Sequence, residues 1–254
     1  MQASLLLHQT LHYARESFAE GLSKLGYRTS FDYAPPSPGS VLVCWNRYSR
    51  DEHKIRAYEA SGAQVLIAEN AWIGPEEKDK HLFAICRSHH NGAGTWHVGQ
   101  EDRWAKLGTE LKPWRTNGDA ILVLPQRGMG EEGIAQPKGW ADRIEARLRR
   151  VTDRPIRFRK HPGIRPHPEI DFSGVHAVVT WASGAGIKAI VAGVPVFYEL
   201  PDWIGAPAAK LGIEEIEQPF LGDRLPMLRR LAWAMWDAEE IAAGEPFRCL
   251  LKSE

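Results

Sequence analysis

The sequence predicts an α/β protein divided into two domains, and three observations carry that prediction. Short apolar runs alternate with segments of helical period along nearly the whole chain, the pattern of mostly parallel sheets covered on both faces. The alternation pauses once, at Lys112-Pro-Trp-Arg-Thr-Asn-Gly-Asp119, which has the turn chemistry of a linker, and then restarts. The side chains able to do chemistry fall just after the apolar runs, where open α/β sheets bind their ligands.

In the first half, residues 5–8 read as a short strand. A helix over 13–25 follows, ended by Gly26, with Phe18, Leu22 and Leu25 on one face. Strands are expected at 29–33, before the turn with Pro35, Pro36 and Pro38, and at 41–45, where every residue is apolar. A helix over 51–61 stops at Gly62, and strands at 65–69 and 80–86 precede a helix over 100–107. The second half has strands at 120–125, 156–160, 177–180 and 194–198, with helices over 140–151 and 184–192. One long amphipathic helix over 224–240 closes the series. The reading is of two Rossmann-like domains facing a cleft, over 1–115 and 116–235, with a C-terminal helix at 236–254 packing back on the first.

Composition sets outer bounds. Of 254 residues, 43% are hydrophobic and 25% charged, as in ordinary globular proteins. No apolar run approaches the ~18 residues of a membrane span, and the start lacks a basic leader, so a cytoplasmic protein without a membrane partner is expected. Three separated cysteines, Cys44, Cys86 and Cys249, read as reduced thiols. Lys plus Arg and Asp plus Glu are both 32, so net charge is uninformative. From Lys138 to Arg165, however, ten basic residues face three acids. That stretch is either the solvated face of a helix or a patch that attracts phosphate. Tryptophans near strand ends, Trp45, Trp72, Trp96, Trp181 and Trp203, are candidates for stacking on a sugar or base, or for the core.

The strongest constellation runs from His176 to Glu199: a strand, a Ser-Gly-Ala-Gly turn, a helix, Gly-Val-Pro and a second strand. Ser183 is placed to cap the helix. Gly184 and Gly186 let the backbone approach a ligand, and the free amides of the helix start favour an anion. Glu199 is placed to accept hydrogen bonds from a ribose diol. In Arg157-Phe-Arg-Lys-His-Pro-Gly163, His161 follows a strand beside Arg159 and Lys160, suited to stabilise a leaving phosphate. Arg127, after the strand at 120–125, reaches the same edge. Each signal alone is also met in purely structural β-α-β units.

Together, Arg-Lys-His-Pro and Ser-Gly-Ala-Gly with Gly-Val-Pro-Val resemble the donor-binding half of GT-B-type glycosyltransferases, and among them the capsule-polysaccharide and sialic-acid-type transferases. Leu231-Ala-Trp-Ala-Met-Trp-Asp-Ala-Glu-Glu-Ile-Ala-Ala-Gly-Glu-Pro-Phe247, with His89-His-Asn-Gly-Ala-Gly94, resembles small bacteriophage glycosyltransferases, a group that includes DNA-modifying enzymes. The resemblance implies a nucleotide-sugar, most simply a UDP-sugar, held by the second domain. It implies an acceptor held by the first and no obligatory metal, consistent with the lack of an Asp-x-Asp clamp. His161, Ser183, Gly184 and Glu199 would then contact the donor, with Arg127 and Lys160 offsetting phosphate charge.

For the acceptor side, Glu69 is the first choice of general base, with His90 second and His8 third. Trp45, Asn46 and Arg47 are placed to grip an acceptor, together with Asn91 in the His-Asn-Gly turn. Three functions follow. The first is transfer of a sugar to a hydroxymethyl-pyrimidine such as 5-hydroxymethylcytosine in double-stranded phage DNA, in the host cytoplasm. The second is transfer to a surface polysaccharide or glycan. The third is a non-catalytic nucleotide-sugar binding protein. Salt-sensitive binding to duplex DNA separates the first from the others.

Overall fold

The computed structural model describes residues 1–74, 81–90, 92–161 and 169–251. In chain order the elements are β1 (Gln2–Leu6), α1 (Arg15–Lys24), β2 (Arg28–Ser30), β3 (Val41–Trp45), α2 (Glu52–Ala60), β4 (Gln64–Asn70), β5 (Leu82–Arg87) and α3 (Arg103–Lys106). They continue with β6 (Ala120–Leu124), α4 (Trp140–Val151), β7 (Ile156–Phe158), β8 (Val175–Thr180), α5 (Gly184–Val191), β9 (Val196–Tyr198) and β10 (Lys210–Leu211). The last are α6 (Leu225–Ala232), β11 (Met235–Asp237), α7 (Ala238–Ala242) and α8 (Glu245–Leu250). Two compact units result: one from Met1–His90, Gly94–Leu107 and Arg229 onward, the other from Asn91–Ala93 and Gly108–Leu228. Among the described residues no helix is long and apolar enough to cross a membrane.

The sheet of the first unit has the order β11-β5-β4-β3-β1-β2. β2, β1, β3 and β4 are parallel, whereas β5 runs antiparallel to β4 and β11 antiparallel to β5. β3 is buried along its whole length because both its faces are covered. Leu42 and Cys44 pack with Ile55 and Tyr58 of α2 and with Val65 and Ile67. On the opposite face Trp45 meets Phe83, which meets Phe18 of α1, and Phe18 in turn meets Phe247 of α8.

The second unit holds an all-parallel sheet, β10-β9-β8-β6-β7. The stripe Trp140, Ile144 and Leu148 of α4, spaced at one helical turn, packs on Ile121, Val123, Ala177, Val179 and Phe197. α5 contributes Ile187, Ala189 and Ile190 to the core. Residues 112–115 lie along the end of α5: the Lys112 amide donates to the Val191 carbonyl and the Arg115 amide to that of Gly193. Gly193 has φ +78°, and a Cβ there would run into the Pro113 carbonyl. Only glycine meets both demands.

The expected helix over 224–240 is not continuous. α6 ends at Ala232, Met235–Asp237 pairs with Leu82–Ala84 as β11, and α7 begins at a capping box between Asp237 and Glu240. The expected C-terminal helix at 236–254 is likewise the short helices α7 and α8 after that strand; these pack with α1 in the first unit. β10 went unforeseen, because two residues carry no periodic signal.

Candidate active site

In the second unit the chain reverses its winding between β6 and β8, so those strands' carboxyl ends form the expected ligand edge. Gln126, just past β6, accepts from the Ala182 amide at 2.8 Å and so ties the β6 loop to the turn before α5. Ser183 caps α5 as expected, its hydroxyl accepting from the Ala185 amide at 3.1 Å, while its own amide donates to Thr180 Oγ1. The Gly186 amide donates to the Ser183 carbonyl. Among the described residues, no partner engages the amide of Gly184 at the first position of the helix. An open amide at the positive end of an eight-residue helix is suited to an anion.

A cation that sequence reasoning missed stands beside it. Lys188 lies four residues after Gly184 on α5, hence on the same helical face. It is exposed along part of its length. Even so, the protein around its ammonium lowers its pKa, and the Arg159 guanidinium lowers it further. Among the described residues Lys188 has no ion-pair partner. Lys188 on α5 and Arg159 just past β7 thus both belong to this edge of the sheet. The half-buried Arg159 is fixed by its own amide, which donates to the Val123 carbonyl. Lys160, His161 and Arg127 are exposed near the ends of β7 and β6.

Two donor-side expectations change. Gly186 is small for packing: a Cβ there would press on the Trp203 ring and Thr180, so it is not a point of ligand approach. Both oxygens of Glu199 accept from Arg147 of α4, at 2.7 and 2.9 Å, and Arg147 also binds Glu214. The carboxylate is therefore directed toward α4 rather than left open for a ribose. A depression of about 530 Å³ at the amino end of this sheet, lined by Asp119, Thr152, Arg154 and Glu217, lies away from these groups. The basic stretch is partly neutralised: Arg147, Arg149 and Arg154 are paired with Glu199, Glu145 and Glu217.

In the first unit the winding reverses between β1 and β3, placing His8 and Asn46 at the corresponding edge. Asn46 adopts φ 57°, and its side-chain amide donates to Tyr48 Oη. Glu69 lies within β4, one residue past the pairing of Trp45 with Ala68, and is half-buried. Strand alternation puts it on the α2 face with Ile67, whereas Trp45 faces α1. The structure therefore does not gather these two around one acceptor. Trp45 is 6% exposed and serves as floor rather than as a free stacking ring. Trp72, Trp96 and Trp203 are also buried, and Trp181 donates to the Ile134 carbonyl. His90 is 1% exposed, which removes it from solvent-side base chemistry. Asn91 lies outside the described residues.

Arg47 is the clearest correction. It is 4% exposed, and its guanidinium donates to Glu52, Glu59 and the Ser88 carbonyl, so it is structural rather than an acceptor contact. Arg47, bonded to Glu52, pulls that carboxyl down to about 2 from 4.5. A folded-state pKa below the unfolded one stabilises the protein above the unfolded value and loses that contribution as pH falls through the folded one. Stability should therefore decline between about pH 4.5 and 2, and Arg47→Met should flatten that limb of a denaturant-midpoint titration. An unchanged limb would mean that the pair does not govern acid sensitivity.

Among the described residues, no group of three or more His, Cys, Asp or Glu side chains is arranged to hold a metal ion. No protein-family model matches the chain, and no curated protein matches it. Among solved structures the chain is similar to the β-Kdo 2,7-transferase of Thermosulfurimonas dismutans KpsC, at 14% identity and TM-score 0.60, covering 96% of this chain and 97% of that one. It is also similar to the β-Kdo 2,4-transferase of the same KpsC, at 10% identity and TM-score 0.56, covering 94% and 98%. At these identities the likeness is one of fold, a mixed α/β protein with parallel sheets.

Proposed function

We propose that this chain is a GT-B-type glycosyltransferase, with a nucleotide-sugar held at the carboxyl edge of the second unit and a glycan hydroxyl as acceptor. One observation carries the reading: at the carboxyl edge of β6 and β8 the Gly184 amide opens α5, with Lys188 one turn further along the same helical face and Arg159 just past the end of β7. In the reaction, the bond between the anomeric carbon and the phosphate oxygen breaks and a bond to the acceptor oxygen forms. Negative charge grows on the departing phosphate, and the two cations, the amide and the helix dipole offset it. This reading needs no metal, and a UDP-sugar is the simplest donor.

A glycan acceptor is supported by the two similar structures, both named as Kdo transferases. The basic stretch, which as a phosphate-attracting patch would serve a DNA acceptor, is partly neutralised by its internal ion pairs. The test is transfer from a panel of nucleotide sugars, UDP-hexoses and a nucleotide-activated Kdo included. Acceptors are oligosaccharides and DNA containing 5-hydroxymethylcytosine, and products are read by mass spectrometry. A mass gain on the oligosaccharide is expected. A gain on the nucleobase would replace glycan with DNA, and nucleotide binding without any transfer would leave a non-catalytic binder.

A further inference from the structure

The loop between β1 and α1 carries chemistry that the donor site does not use. It holds His8, His12 and Tyr13 at the carboxyl end of β1, beside the strand reversal of the first sheet. Tyr13 sits at the centre of a chain of rings. Its centroid is 4.7 Å from that of His8, 5.0 Å from His12 and 4.5 Å, edge-on, from Trp45. His12 lies 4.5 Å from His81, which lies 4.6 Å from Phe83. Trp45 and Phe83 are buried and form the floor; His12 and His81 are exposed, and His8 and Tyr13 half-buried.

The polar atoms of this cluster are not consumed by the fold. Among the described residues no hydrogen bond or ion pair engages the imidazoles of His8, His12 or His81. Surrounding protein, and His12 next to it, lower the pKa of His81 and favour its neutral form, which keeps one ring nitrogen as an acceptor. The loop closes on Ala14 at φ 45°, a left-handed conformation unfavourable for alanine.

We infer that this ring cluster is a carbohydrate-binding platform, which takes the C–H face of a pyranose against its exposed rings and the sugar hydroxyls on the imidazoles of His8, His12 and His81. A pyranose has the two chemistries that the cluster offers: an apolar face for rings, and closely spaced hydroxyls that both donate and accept. Assigning this sugar to the acceptor rests on the transferase reading. The binding itself does not, and it is measured without any donor.

The experiment uses the full chain with methyl glycosides of glucose, galactose, N-acetylglucosamine and Kdo and their disaccharides. It reads saturation transfer to sugar protons and the side-chain resonances of the histidines. Saturation transfer from at least one glycoside, with shifts at His12 and His81, is expected. The H12A/H81A variant, altered only at exposed positions, should weaken binding by about fivefold or more. Its melting temperature and its nucleotide-induced thermal shift should stay at wild-type values. Loss of the nucleotide shift in the wild-type chain would count against the donor site while leaving this platform standing. No glycoside signal in the wild type, equal signals in wild type and variant, or histidine shifts with zinc ion but with no sugar, would each overturn the platform.

Discussion

Replacing Lys188 by methionine should lower sugar-nucleotide turnover by about 10²–10³-fold, the usual effect of removing one group that meets charge developing in the transition state. Methionine keeps the apolar stem and has helix propensity close to that of lysine, so α5 and the melting temperature should persist. The loss should appear mainly in kcat, since the phosphate carries more charge as it departs than in the bound donor. A pH signature accompanies it. Surrounding protein and Arg159 depress the Lys188 pKa, and a bound phosphate restores it, so binding takes up a proton as pH rises toward that value. Wild-type nucleotide affinity should fall on the alkaline side, and Lys188→Met should lack that limb. Isothermal titration in buffers of different ionisation enthalpy reads the proton uptake directly. Normal turnover in the folded variant would move the phosphate site elsewhere.

Arg103→Ala is expected to be the most damaging single change to the first unit, by about 3–5 kcal/mol, the range for removing one partner of a buried charged pair. Arg103 is 6% exposed. Its guanidinium binds both oxygens of Glu240, at 2.8 and 3.0 Å, and donates to the Met235 carbonyl at 2.9 Å. It also lies 3.8 Å from the centre of the Trp236 ring. The substitution removes both guanidinium bonds of Glu240 and leaves it only its capping-box bond from the Asp237 amide, frees a buried carbonyl and opens a cavity against the indole together. Arg103→Lys should recover little, because one ammonium cannot fork onto a carboxylate and stack flat at once. The denaturant midpoint reads the loss; a shift below about 1 kcal/mol would show that the surrounding indoles hold the segment unaided.

Much of the second unit is legible in the sequence because its signals agree. Apolar β-branched runs at β6 and β8, glycine after α5 and a serine at the helix start all point to one β-α-β arrangement. Ser183 as cap follows from local chemistry alone. Lys188 escaped notice because it is the one charged residue of Gly184-Ala-Gly-Ile-Lys-Ala-Ile-Val191 and reads as a solvated face. Its spacing of four from Gly184 was the available signal. Elsewhere tertiary context overrode local pattern: Met235–Asp237 continues a helical period, yet pairing with β5 makes it a strand. The Asp237-Ala-Glu-Glu240 capping box marked that break and was visible in the sequence. Arg47 and His90 could not have been placed, because nothing in a strand-end pattern says which polar side chain turns inward.

The position of β11 bears on how the protein is made. During synthesis the first unit is nearly complete by Leu107, but β11 emerges only after the whole second unit. Until then the apolar β5 has one open ladder edge, the kind of surface that recruits strands from other nascent chains. Slow translation of the second unit would lengthen that exposure. Yield on expression should therefore respond to residues 229–250 more than their small share of the chain suggests, and a chaperone that shelters strand edges would act chiefly in that interval.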